Sequence, residues 1–267
     1  MTQLVGDTRP LLNIMQKLRD PETGCPWDKA QDFQTIVPFT IEEAYEVADT
    51  IERMALDELP DELGDLLFQV VFYCQLGKEQ GLFDFDTVVN RICDKLTRRH
   101  PHVFEGLAAT STAEIKHNWE QLKADERSQR ALNSVLDDIP LALPALSRSI
   151  KIQKRVARVG FDWAELDPVV AKIHEEIDEV LYEVKQDTVD ADKVKDEMGD
   201  LLFAVVNLAR HLGVEPEQAL RQANQKFERR FRGVEAYAQA DGRLMTEHTL
   251  TELDGYWDKV KQDEANK

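Results

Sequence analysis

Cysteine is scarce in this chain of 267 residues: Cys25, Cys74 and Cys93, all in the first half. The number is odd and no pair has zinc-binding spacing, which excludes a disulfide framework and points to a reducing, cytoplasmic setting. Runs of valine and isoleucine alternating with polar residues are missing, which argues against β architecture. The longest apolar stretch, Leu66 to Leu76, is interrupted by glutamines and too short to span a bilayer. The first residues, Met-Thr-Gln-Leu-Val-Gly-Asp, have no basic segment leading into an apolar one, so no secretory signal is expected. Basic charge is also in deficit. With 33 Lys and Arg against 51 Asp and Glu the formal net charge is −18, which repels nucleic acid. An anionic ligand remains compatible if a divalent cation stands between it and the protein.

What is present is helical and repeated. Asp-Glu-Leu-Gly-Asp-Leu-Leu-Phe-Gln-Val-Val (61–71) returns as Asp-Glu-Met-Gly-Asp-Leu-Leu-Phe-Ala-Val-Val (196–206), nine of eleven positions agreeing at an offset of 135. Glu-Glu-x-x-Glu stands upstream of each copy, as Glu42, Glu43 and Glu46 and as Glu175, Glu176 and Glu179. The chain reads as a duplication, with a boundary between residues 105 and 145. We divide it into repeats 1–105 and 151–267 and a charged connector, 106–150.

Leu11, Leu12, Met15 and Leu18 mark a first helix by their spacing. Residues 20–28 form a proline-containing turn. A helix is expected over 41–56, with Thr40 as N-cap and Glu43 completing a capping box. Pro60 suits the first turn of the next helix, which Gly77 would end. Another covers 84–98. In the second half helices are expected over 167–186, 191–212 (ended by Gly213), 216–232 and 247–264. Residues 114–130 are charged enough for a solvated helix.

Residues three and four apart share a helix face. Glu176 and Glu179 therefore point together, as do Glu197 and Asp200. A short loop makes the two helices antiparallel neighbours, so all four carboxylates can meet at one end. Glu43, Glu46, Glu62 and Asp65 repeat the plan. Crowded carboxylates repel one another unless a cation intervenes, and an all-oxygen donor set suits Mg²⁺ or Mn²⁺ rather than Zn²⁺. A lone Glu-Glu-x-x-Glu is ordinarily a solvated face. Here each Glu-x-x-Asp is followed at once by Leu-Leu-Phe, which sets it on a buried side. Gly64 and Gly199 stand mid-helix, where glycine costs about 1 kcal/mol relative to alanine, which suggests close approach of another helix or a ligand.

Lys226, Arg229 and Arg230 recur in the first half as Lys95, Arg98 and Arg99. Beside a metal such cations can hold phosphate oxygens. Otherwise they balance an acidic neighbour. His100 and His102 read as loop residues packed beside a helix, and Trp27 and Trp163 as core residues. A di-iron bundle needs two Glu-x-x-His motifs, and Glu114-Ile-Lys-His117 is the single match, in the connector. A helical interaction or regulatory module, with one or both acidic sites non-catalytic, stays open as an alternative to an enzyme.

Gly-Cys-Pro-Trp-Asp (24–28), Glu-Glu-Ala-Tyr-Glu-Val (42–47), Glu-Leu-Gly-Asp-Leu-Leu (62–67) and Arg-Arg-His-Pro-His-Val-Phe (98–104) together resemble the MazG nucleoside triphosphate pyrophosphohydrolases. The second half adds Glu-Glu-Ile-Asp-Glu-Val (175–180), Glu-Met-Gly-Asp-Leu-Leu (197–202) and Asn-Gln-Lys-Phe-Glu-Arg-Arg-Phe (224–231). The resemblance implies an all-α fold of two tandem helical-bundle repeats. It also implies Mg²⁺-dependent cleavage of nucleoside triphosphates to monophosphate and pyrophosphate, and a homodimer. The role it implies is to limit aberrant nucleotides or the stringent-response alarmone. Carried over by position, Glu176, Glu179, Glu197 and Asp200 are metal ligands, with Glu43, Glu46, Glu62 and Asp65 in the other repeat. Lys226 and Arg230 contact phosphates, joined by Arg229 and Asn224. Lys193, Asp254 and Trp257 belong to the nucleotide pocket. Cys93 stands where the second repeat has Asn224, and the first repeat has no counterpart to the tail with Trp257. Both differences favour the second repeat as the working site.

Overall fold

The computed structural model describes residues 7–106, 111, 114, 115, 118, 119, 122 and 134–266. Most of the charged stretch 114–130, His117 included, lies outside the described residues. The elements among the described residues are helical throughout. The chain divides into two compact units, Met1–Glu126 and Arg127–Lys267. No helix is long and apolar enough to cross a membrane among the described residues.

The first unit contains α1 (Arg9–Leu18), α2 (Pro26–Ala30), α3 (Val37–Glu52), α4 (Leu59–Glu79), α5 (Phe85–Arg99) and α6 (Pro101–Phe104). Helices α3 and α4 form the main packed pair, with α1 and α5 against α4. The loop between α3 and α4 is short, so the two run antiparallel. Met15, Ile36, Val71, Phe72 and Leu76 make the buried core, with Phe33, Phe39, Phe68 and Tyr73 around it. Arg19 crosses this unit with its stem buried. It binds Glu79 at 2.7 Å and donates to the Asp28 and Gln31 carbonyls, tying the proline loop to α4.

Three helix ends differ from expectation, one of them the end of α3 at Glu52 instead of 56. Helix α3 starts at Val37, not after Thr40, because Pro38 fills its first turn. The Thr40 hydroxyl donates back to the Ile36 carbonyl instead of capping. Gly77 does not end α4. It lies buried within it, where a Cβ would stand 2.7 Å from the Phe83 carbonyl oxygen. The turn comes at Gly81, whose φ of +68° suits glycine.

The second unit contains α7 (Ala145–Ala157), α8 (Leu166–Val184), α9 (Ala191–His211), α10 (Pro216–Ala240), a 3₁₀ turn (Met245–Glu247) and α11 (Leu250–Ala265). Helices α8 and α9 form the matching pair, α7 lies against α9 and α10, and α11 packs on α10. Asp190 caps α9 and Thr249 caps α11 in a capping box with Glu252. Helix α10 runs eight residues past the expected 232. Its extension carries Val234 and Ala238 into the core, and Gly233 lets it approach Val260 of α11.

Candidate active site

The loops joining α3 to α4 and α8 to α9 bring the two acidic motifs of each unit to one end of its helix pair. In the second unit, one carboxylate oxygen each from Glu176, Glu179 and Glu197 lies within 4.8 Å of the others. In the first unit Glu43, Glu62 and Asp65 do the same. The fourth members sit at the margin. Glu46 raises the proton affinity of both Glu43 and Glu62 by its charge, and Asp200 faces a cavity shared with Glu176.

Desolvation is the largest influence that pushes Glu43, Glu62 and Glu179 above the ordinary carboxylate range; repulsion from neighbouring carboxylates adds to it. Glu176 is the most buried of the eight, 3% exposed. Lys172, one turn earlier on α8, reaches its carboxylate at 2.7 Å and Glu175 at 2.8 Å. The other oxygen of Glu176, Oε2, is buried and has no hydrogen-bond partner among the described residues. A buried, unpaired carboxylate oxygen beside two further carboxylates is the arrangement a hard divalent cation would complete. The acidic cluster can therefore hold a metal ion.

Next to it lies a cavity of about 630 Å³. Lys172, Glu176 and Asp200 form its acidic end, and Gln153, Phe161, Trp163, Asn207 and Arg210 line the rest. Trp163 is 44% exposed and Trp27 is 51% exposed, so neither is the core residue expected of it. Trp27 leans edge-on against Phe39, their centroids 5.5 Å apart.

The apolar residues after the acidic motifs also depart from expectation. Leu67, Leu202 and Phe203 are exposed. Nor, among the described residues, does another helix approach Gly64 or Gly199, where an added Cβ would meet nothing within 4 Å.

The basic residues form a separate group. Arg229 and Arg230 both bind Glu264, at 3.0 and 2.8 Å. Arg230 also lies over the ring of Trp257, which packs on Phe227. Lys226, Asn224 and Asp254 are exposed on α10 and α11. Lys193 stands 3.9 Å from Glu183. None of these seven lines the cavity. His100 packs beside α5 as expected, its Nδ1 2.7 Å from the Leu96 carbonyl oxygen.

Sequence reasoning missed Lys172, Gln153, Asn207 and Arg210. Lys172 was findable, being four residues from Glu176 on one helix face. The other three come from α7 and from the far end of α9, and only packing brings them to the site.

Comparison with known proteins agrees with the geometry. The family model of the MazG nucleotide pyrophosphohydrolase domain matches residues 31–104 and 166–234, one segment in each unit. A nucleoside triphosphate pyrophosphohydrolase of Escherichia coli K12 is 59% identical over 96% of this chain and 97% of its own length. A Thermotoga maritima protein named nucleoside triphosphate pyrophosphohydrolase/pyrophosphatase MazG is 42% identical over 94% of both chains. An uncharacterized Bacillus subtilis protein, YabN, is 40% identical over 94% of this chain and 51% of its own. With both acidic hairpins inside the matched segments, this chain belongs to the MazG nucleotide pyrophosphohydrolase family.

Proposed function

We propose that the second unit carries the reaction, with Mg²⁺, or Mn²⁺ in its place, held by Glu176, Glu179, Glu197 and Asp200. The chain is a nucleoside triphosphate pyrophosphohydrolase, which releases the nucleoside monophosphate and pyrophosphate. The observation that carries the metal assignment is the unpaired, buried Oε2 of Glu176 beside Glu179 and Glu197. When bound, the cation supplies Lewis acidity toward phosphoryl oxygens and acidifies a water. Lys172 fixes the rotamer of Glu176 and balances part of the cluster's charge. It also engages Glu175.

Lys226 offers an exposed ammonium to phosphate, while Arg229 and Arg230 reach one by leaving Glu264. Asn224, Lys193, Asp254 and Trp257 complete the nucleotide contacts in this reading. Glu43, Glu46, Glu62 and Asp65 form a second metal site without turnover of its own. That mixed reading is favoured by the first unit's packing: Phe39 and Phe68 lie against a core containing Phe72.

A homodimer is supported by an apolar stripe that both units leave exposed. It consists of Leu63, Leu67 and Val70 on α4 and of Met198, Leu202 and Val205, their repeat equivalents, on α9. The charge of −18 supports a partner list without nucleic acid, and the cysteine usage a cytoplasmic setting.

The test is to incubate the pure protein with ATP and Mg²⁺. AMP and pyrophosphate are the expected products, lost in Glu176→Gln and Glu197→Gln while the helical circular dichroism stays intact. Release of ADP and phosphate, or activity surviving both substitutions, would falsify the assignment.

A further inference from the structure

One carboxylate in the second unit holds two arginines. Glu264, in the last turn of α11, accepts from Nε of Arg229 at 3.0 Å with one oxygen and from Nε of Arg230 at 2.8 Å with the other. Both arginines stand on α10. Consecutive residues of a helix project roughly 100° apart and do not ordinarily face a common partner. Here a single side chain from another helix draws the two guanidiniums together against their mutual repulsion. Each gives up its Nε, one arm of the side-on fork with which an arginine receives two oxygens of a phosphate. The carboxylate therefore sits between the two cations as a phosphate group would.

Helix α11 itself does not call for an acid at this point. Its last turn carries Asp263 and Glu264 and no basic residue, whereas a helix C-terminus favours cations. Nor does docking on α10 depend on Glu264 alone. The Tyr237 hydroxyl donates to Asp263 at 2.6 Å, and Val260 is buried where Gly233 lets the two helices approach. Arg230 first and Arg229 second hold the Glu264 carboxyl below the ordinary carboxylate range, so it meets them as an anion. Lys226, one turn before Arg230, is exposed and lies outside the clasp.

We propose that Glu264 is an autoinhibitory counter-anion: it occupies Arg229 and Arg230 until the polyphosphate of a substrate displaces it. The proposal rests on the pyrophosphohydrolase reading, in which these arginines contact phosphate, and adds what controls access to them.

The exchange is within reach of a triphosphate. Its several charges are set against the carboxylate's one, and the two ion pairs it breaks are partly exposed and individually weak. One side chain has to swing aside, at a helix end where the last carbonyls have no helical partner. Arg230 keeps a second hold, the ring of Trp257 5.9 Å from its guanidinium, so it stays near its present place when the carboxylate leaves. Because the clasp competes with phosphate and touches nothing else of the substrate, it weakens the binding of every nucleoside triphosphate alike.

The test is steady-state release of pyrophosphate from ATP and from GTP by the full chain with Mg²⁺. Glu264→Gln is expected to lower KM for both about threefold to tenfold, the range of two partly exposed ion pairs, with kcat unchanged. Glu264→Ala should lower it as far, which keeps the test intact if one of the two fails to fold by circular dichroism. Tyr237→Phe removes a neighbouring bond between α10 and α11 without touching the arginines and should leave KM where it is. A KM that stays or rises in a folded Glu264 variant overturns the proposal, a rise meaning that the carboxylate positions the arginines for phosphate. An equal fall in Tyr237→Phe overturns it too, since loosening of the helix pair then explains the change. Binding separates the clasp from the underlying reading. Calorimetric titration with inorganic pyrophosphate and Mg²⁺ should show tighter binding to Glu264→Gln than to the wild type. If no triphosphate yields pyrophosphate, the pyrophosphohydrolase reading falls and this titration alone decides: tighter binding keeps the clasp, and equal or weaker binding removes it.

Discussion

The two units carry the same acidic hairpin and surround it with different chemistry. In the second, a lysine stands one turn before the buried glutamate, and asparagine, arginine and glutamine leave a polar cavity next to it. In the first, phenylalanines take the lysine and asparagine positions, and the space is packed. The carboxylates therefore gather into a cluster that could hold a cation in both copies, while the residues around them decide whether there is room for anything larger. Closing a cavity with aromatic residues adds apolar burial; keeping it open leaves unpaired polar groups such as Gln153 Oε1. Each unit takes one side of that choice.

The largest expected break in this comparison comes from matched substitutions in the acidic motifs. Glu197→Gln should lower pyrophosphate release about a hundredfold or more, the scale of a lost electrostatic contact to the transition state, whereas Glu62→Gln should change it by less than about threefold on that scale. Steady-state kinetics on the intact chain decide it, and equal losses from both would mean that both units turn over substrate.

Stability should divide the other way. Phe72→Ala empties a fully buried site and is expected to cost about 3–5 kcal/mol. Asn207→Ala loses one partly buried hydrogen bond, at about 1 kcal/mol. Denaturant melts followed by circular dichroism give both values. Similar costs would show that the cavity wall in the second unit is as tightly packed as the core of the first.

The pH response sharpens the contrast further. A carboxyl whose folded pKa is raised binds more protons folded than unfolded, so it lowers stability as pH rises through that window. Glu43 and Glu62 in the first unit and Glu179 in the second are of this kind, for desolvation first and carboxylate repulsion second. Groups with lowered values act oppositely, contributing stability that is lost as pH falls. Glu252 is held at about 2 by the Thr249 backbone N–H and by Arg243, and Glu264 is lowered by Arg230 and Arg229. The metal-free protein should accordingly be most stable at mildly acidic pH. Mg²⁺ should move that maximum toward neutrality by removing the repulsion. Thermal melts between pH 4 and pH 8, with and without Mg²⁺, test this; a maximum that ignores Mg²⁺ counts against metal at either cluster. The smallest effect concerns assembly. Leu202→Glu or Leu67→Glu should leave the helical signal unchanged and lower the mass seen by light scattering if its stripe is the dimer contact.

The sequence carried the acidic hairpins well, because helical spacing and the repeat both constrain them. Eight carboxylates were placed on the correct helices, and Pro60, Pro216 and Gly213 marked ends that hold. Where reading failed, tertiary packing had overruled a local signal. Thr40 had the look of a cap until Pro38 opened the helix earlier. Gly77 resembled a stop but is a contact point for Phe83. Hydrophobicity alone assigns Trp27 and Trp163 inward, although one lies in the short helix α2 and the other on a loop, and only the fold determines which way either faces. The basic cluster was read by type, and what type cannot show is that Glu264, some 35 residues on, already binds both arginines.

Gly64 and Gly199 each sit in the middle of a long helix, where alanine would be favoured by about 1 kcal/mol and where no atom among the described residues would object to the extra methyl. The packing of the described residues within each unit gives no reason for either. Gly64→Ala and Gly199→Ala should thus make the isolated chain harder to unfold, and any penalty should surface only when something from outside lies against that bare strip of backbone.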